Sequence, residues 1–258
     1  MARQSLGDSY AHHGSKPTMV SIQSLSSHAQ VGLRKIIFLV TSVTIEPEKD
    51  IEIGLWLPEF ADPYFLRSAK YHIVVASPKG GATVPDPTSM QLSIEDPNAM
   101  AFPNEKKDVY QQIKKLSSFL GKANQFDALY AVGGHGLMFD LAFDTNSQAL
   151  IAEFWEQGKI VAADCAGVRS LANVKLSSGE HLLRGKRVTG FSEAEVNALG
   201  FGNVIPFFLE DTLVAKSRGY EKAPSVWEPH IVTSGRLITG QNPASAAGVA
   251  EAILAALA

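Results

Sequence analysis

The chain's one cysteine, Cys165, stands at the end of the apolar run KIVAAD and directly before Ala166-Gly167. A thiol that attacks a substrate is best presented on a sharp strand-to-helix turn, where bulky neighbours would clash. Ala163, Ala166 and Gly167 supply that space, and a helix starting there would lower the thiol pKa and favour the thiolate. The same surroundings also suit a small buried hydrophobe, the commoner fate of a lone cysteine. A second stretch, AVGGHG over 131–136, lets the backbone at Gly133 and Gly134 approach a ligand and offer an oxyanion donor. A plain tight turn explains those glycines equally well, and they match neither the G-x-G-x-x-G fingerprint nor a Walker A loop. Thirdly, Glu59 sits among Leu55, Trp56, Leu57, Phe60 and Phe65. Desolvation there would raise its pKa toward the range of a general acid or base, while a helix N-terminal glutamate is the simpler alternative.

The elements that must position these residues alternate. IIFLV (36–40), HIVVAS (72–77), ALYAV (128–132), KIVAAD (159–164), RVTGF (187–191), VIPFF (204–208), HIVTS (230–234) and RLIT (236–239) read as strands. Helices are expected over 63–69, opened by Pro63, and over 105–120, 147–157, 193–199, 211–218 and 243–257. The stretch SPKGGATVPDPTSMQ reads as a loop. Strand–helix alternation predicts an α/β fold: a doubly wound, mostly parallel sheet sandwiched by helices, in which ligands sit beyond the carboxyl ends of the strands. Residues 1–33, rich in Ser and His, read as a flexible N-terminal extension, and 34–258 as a single domain.

Composition narrows the function classes. The chain has 258 residues, 45% of them hydrophobic, with 23 Lys+Arg against 26 Asp+Glu and a formal net charge of −3. That balance gives no basic face for nucleic acid. No apolar run approaches the roughly 18–20 residues of a membrane span. One cysteine excludes an internal disulfide and a thiolate zinc site, and points to a reducing, cytoplasmic setting.

The stretches GLWLPEFADPYF, VVASPKGGATVPDPTS, FDALYAVGGHGLMFDL, KIVAADCAGV, LLRGKRVTGFSEAE, FFLEDTL and GRLITGQNPASA, spread over about 35–257, resemble the ThiJ/PfpI superfamily. Its fold is that of class I glutamine amidotransferases, and the similarity is to the branch of heat-shock chaperones and glyoxalase III-like proteins. The resemblance implies that Cys165 is the elbow nucleophile, Glu59 its carboxyl partner, and the Gly134 and Ala166 amides an oxyanion hole. It further implies a homodimer, no organic cofactor, and a small carbonyl substrate such as methylglyoxal; no metal site is expected.

This chain departs from that branch. The family's Cys-His-Gly-Pro run becomes Cys165-Ala166-Gly167-Val168, and no histidine follows in Val188-Thr189-Gly190-Phe191. The family's His-Pro after the glutamate becomes Asp62-Pro63. His135, Asp164, Arg169, Phe191 and Glu193 are then candidates to contact substrate, with Glu195 beside Glu193. The expected function is a cofactor-free, cysteine-centred lyase, hydratase or isomerase, retuned from a glyoxalase III to a larger carbonyl substrate. An ordinary glyoxalase III, or a stress chaperone or redox sensor in which Cys165 oxidises reversibly, is the alternative.

Overall fold

Adjacent residues of a strand face opposite sides of its sheet, so the near-continuous apolar runs require helices on both faces. The computed structural model describes residues 34–67 and 71–258, and the extension expected over 1–33 lies outside them. In chain order the strands are β1 (Arg34–Leu39), β2 (Tyr71–Ser77), β3 (Lys114–Lys115), β4 (Ala128–Ala131), β5 (Ile160–Asp164), β6 (Arg187–Val188), β7 (Gly219–Tyr220), β8 (Ile231–Ser234) and β9 (Leu237–Gly240). β6 and β7 pair with each other, and the other seven form one sheet in the order β3-β2-β1-β4-β5-β9-β8. All neighbours in that sheet run parallel except β8 and β9, which are antiparallel. The order reverses direction between β1 and β4, so the crevice at the carboxyl ends of β1, β4 and β5 is where such a sheet binds ligands.

The helices are α1 (Leu57–Arg67), α2 (Pro87–Leu92), α3 (Pro97–Glu105), α4 (Lys107–Gln111), α5 (Thr145–Glu156), α6 (Glu193–Ala198), α7 (Leu209–Lys216) and α8 (Ala246–Leu257). Ile36, Phe38, Tyr130 and Ala162 meet Phe60 of α1 and Val249 and Ile253 of α8 on one face. Ile37, Leu129, Val161 and Ala163 meet Leu150, Ile151 and Phe154 of α5 on the other. The doubly wound, mostly parallel sheet is therefore present. No described helix is long and apolar enough to cross a membrane.

Four local expectations change. Pro63 lies inside α1, which starts six residues earlier, at Leu57. The span 105–120 is not one helix, because Ile113 exchanges backbone hydrogen bonds with Gly81 and breaks the helical ladder. It becomes α4, the edge strand β3 and a 3₁₀ turn over Leu116–Phe119. VIPFF forms no strand: Pro206 lacks a donor for a ladder, and the segment is turns leading into α7. The loop after β2 instead contains α2, and α3 follows it. Asp86 and Asp96 cap these helices through their side chains, and each is followed by a proline at the first helical position.

Candidate active site

Cys165 begins a seven-residue 3₁₀ segment, Cys165–Leu171, immediately after β5. Its φ is +54°, a left-handed conformation that a residue with a side chain seldom adopts. Close packing holds the strain. The Phe191 N–H donates to the Cys165 carbonyl at 3.3 Å. A Cβ on Gly167 would stand 2.5 Å from the Ala131 carbonyl oxygen, so the turn can lie on the end of β4 only with glycine there. The nucleophile-elbow geometry is thus built. The expected depression of the thiol pKa is not. Burial pushes the Cys165 thiol well up, the Glu59 and Asp164 charges push it further, and the Ala166 N–H opposes them without winning. One short 3₁₀ segment has too small a dipole to offset that burial.

Glu59 lies in the first turn of α1 and is fully buried. Pro63 has no N–H to give the carbonyl four residues back, which is that of Glu59. The Tyr130 hydroxyl, from β4, donates to this carbonyl at 3.0 Å and pins the helix turn that carries the carboxyl. The carboxyl reaches Cys165 across Gly133. A Cβ there would collide with Glu59 Oε2 and stand 2.8 Å from the Cys165 Cβ. Burial, and after it the charge of Asp164, holds Glu59 well above the ordinary carboxylate range. The Cys165 thiol and the Gly133 N–H pull the other way. That direction favours the protonated carboxyl, whose O–H can donate to the sulfur. The Gly133 N–H faces Glu59 and the Ala166 N–H faces the thiol, while Gly134 and Ala166 are the backbone neighbours of the cysteine that line the cavity.

Trp56, Gly134, His135, Cys165, Ala166, Phe191 and Pro243 line the cavity over the thiol, which is too narrow in this conformation to admit a water molecule. Trp56 and Pro243 also line a wider cavity of about 540 Å³, together with Asp62, Leu92, Asp96, Leu199 and Trp227. These two side chains form the wall between the spaces. Trp227 packs at 6.1 Å from Phe191 and has a φ of +69°, an outlier for so bulky a residue. Its N–H donates to Glu195 Oε1 at 3.1 Å, and that buried carboxylate also accepts from Gln241 and Asn242.

Of the candidates for substrate contact, His135 and Phe191 line the cavity and three do not. Asp164 points from β5 to the sheet face covered by α1 and α8, against Gly240 and Val249 and outside the cavity lining, and neither carboxyl oxygen has a hydrogen-bond partner. Burial holds its pKa well up. Arg169 is 7% exposed and lies over the Phe207 and Phe143 rings, at 4.3 Å and 5.6 Å. It faces neither the cavity nor a carboxylate among the described residues. Glu193 is exposed, because the capping box of Ser192 and Glu195 turns Glu195 inward and its neighbour outward. Sequence reasoning missed Trp56, Asp86, Tyr130 and Trp227; the Asp86-Pro87 pair was the one local signal. Among the described residues, no three His, Cys, Asp or Glu side chains group as a metal site requires.

A sequence profile of the DJ-1/PfpI family matches residues 60–256. Glyoxalase 3 of Candida albicans is 30% identical over 216 residues, 79% of this chain and 89% of that protein. The probable glutathione-independent glyoxalase hsp3104 of Schizosaccharomyces pombe is 30% identical over 173 residues, 64% of this chain and 77% of that protein. The X-ray structure of Rapid Encystment Protein 24 KDa from Francisella tularensis superposes with a TM-score of 0.81 at 31% identity, covering 87% of this chain and 99% of that one. For the crystal structure of glyoxalase III from Candida albicans the TM-score is 0.75 at 27% identity, covering 87% and 97%. A profile match across most of the domain, a shared sheet and a strained cysteine after β5 agree: the chain belongs to the DJ-1/PfpI family.

Proposed function

We propose that the chain is a cofactor-free enzyme in which the Cys165 thiol adds to the carbonyl of a small molecule. The observation that carries this reading is the strained Cys165 with the buried Glu59 carboxyl beside it, across Gly133. The relatives named as glyoxalases support the same class of substrate. In this account Glu59 is protonated and donates to the sulfur, and the Gly134 and Ala166 amides receive the negative charge on the former carbonyl oxygen. The product class is that of a lyase or isomerase acting on an aldehyde.

The substrate is larger than methylglyoxal. Ala166 and Val168 stand where the family's branch carries histidine and proline, and the 540 Å³ cavity adjoins the thiol's cavity through Trp56 and Pro243. A two-carbon or three-carbon dicarbonyl fills little of that space, whereas an aldehyde with an apolar tail can occupy both cavities once the wall moves. A homodimer in the cytoplasm completes the proposal, and light scattering checks the first part of it. Loss of glyoxal, methylglyoxal and phenylglyoxal, measured as kcat/KM under one set of conditions, tests the size preference. Phenylglyoxal is expected to lead; a methylglyoxal value well above that of phenylglyoxal restores the ordinary glyoxalase III reading.

A further inference from the structure

We propose that His135, held by Asp86, is the acid–base residue of the Cys165 site and takes over from the histidine that this chain lacks after its cysteine. The assignment rests on the thiol-addition reading above. His135 is 3% exposed, and it is the one histidine among the described residues that lines the cavity with Cys165, Gly134 and Ala166. Its Nδ1 lies 3.5 Å from Oδ2 of the fully buried Asp86. That is the outer limit of a hydrogen bond, and catalytic pairs commonly tighten when substrate binds.

The carboxylate is itself fixed. Asp86 Oδ1 caps α2 by accepting from Thr88 N at 2.8 Å and Ser89 N at 3.3 Å, which leaves Oδ2 for the imidazole. A carboxylate oxygen facing Nδ1 favours the tautomer with the proton on Nδ1 and leaves the Nε2 lone pair unprotonated. The ring cannot swing freely. It stacks on Phe201 with centroids 4.0 Å apart and planes at 2°, and Trp56 meets it edge-on at 5.6 Å.

The site needs such a group. Cys165 is a neutral thiol at rest because burial disfavours its anion, Glu59 in its protonated form already holds a proton and cannot take another from the thiol, and Asp164, also held up by burial, does not line the cavity. In the addition step the Sγ–H bond breaks and its proton passes to His135 Nε2, while the Sγ–C bond forms. The carbonyl π pair moves to oxygen beside the Gly134 and Ala166 amides. The imidazolium then returns the proton to that oxygen, giving a neutral hemithioacetal with no oxidant or reductant required. The titratable groups that face His135 are Asp86, from the turn before α2, and Cys165, from the turn after β5.

The test is the turnover of methylglyoxal and phenylglyoxal by wild type, His135→Gln, His135→Ala, Asp86→Asn and Cys165→Ala. Loss of a positioned acid–base group predicts a fall in kcat of about 10²–10⁴-fold in His135→Gln. Added imidazole is expected to restore turnover in His135→Ala, which a purely structural role would not allow. Asparagine is as good a helix cap as aspartate, so Asp86→Asn keeps α2 while removing the charge. It is expected to lower kcat about tenfold or more with KM little changed, a split that loss of folding or of binding would not give. Circular dichroism and urea midpoints establish that the variants fold. Turnover lost in Cys165→Ala but kept in His135→Gln overturns this assignment alone. No turnover by the wild type, or turnover that survives Cys165→Ala, overturns the underlying reading and this assignment with it.

Discussion

The Tyr130 hydroxyl on β4 donates to the main-chain carbonyl of Glu59, replacing the helical bond that Pro63 removes. The main chain that carries the candidate acid is therefore fixed by a side chain 71 residues away. Tyr130→Phe leaves a buried carbonyl unpaired and is expected to destabilise the fold by about 1–3 kcal/mol in urea unfolding. Pro63→Ala restores the helical donor, so the double variant is expected to lose less than Tyr130→Phe alone. Simple additivity of the two changes would show that the bond does not stand in for the helical one.

The Cys165 thiol is expected to ionise above the unperturbed cysteine value of about 8.5. The pH dependence of alkylation by a small maleimide measures this. Glu59→Gln exchanges the protonated carboxyl that donates to the sulfur for a weaker amide donor, so its midpoint is expected to rise above that of the wild type. A wild-type midpoint below the free value contradicts the account, and it would bring back the helix-dipole expectation drawn from the sequence.

Glu59 and Asp164 titrate higher in the folded chain than in the unfolded one, where carboxyls ionise near about pH 4. As pH rises past that value, the unfolded chain releases protons that the folded chain retains. Their stabilising contribution is therefore complete below about pH 4 and is lost as pH climbs through the folded values. Asp164→Asn removes one of the two groups. Its urea midpoint is expected to gain on that of the wild type between pH 4 and pH 8, and a constant difference would refute the linkage.

Restoring the family's histidine by Ala166→His is expected to harm the protein. Ala166 is 3% exposed and lines the narrow cavity over the thiol. Overpacking of this kind costs about 1–3 kcal/mol, which lowers Tm, and the imidazole fills the space a substrate needs. A rise in methylglyoxal turnover at unchanged Tm would instead mark the site as an ordinary one that tolerates alanine.

The elbow at Cys165 was legible because strand, small residues and turn are contiguous in the chain. So was the α/β alternation, since buried parallel strands advertise themselves as short β-branched runs. Pro63 was misread because a proline inside a helix normally breaks it, and only the distant Tyr130 makes it tolerable. The VIPFF segment has the composition of a buried strand, but Pro206 denies it a partner. The thiol pKa was misjudged in sign because local sequence shows a helix start and hides the burial that outweighs it. Asp86 and His135 are 49 residues apart, and their meeting depends on the segment Leu55-Trp56, whose Leu55 carbonyl accepts from the Asp86 N–H and whose Trp56 N–H donates to the Gly133 carbonyl.

The most direct measurement compares aldehyde loss catalysed by the wild type with that of Cys165→Ala, using phenylglyoxal in large excess over protein. Arginine and lysine side chains consume dicarbonyls stoichiometrically, so only turnover beyond that amount counts. The account predicts many turnovers per chain in the wild type and none beyond stoichiometric consumption in Cys165→Ala. Equal multiple-turnover rates in the two proteins would contradict it.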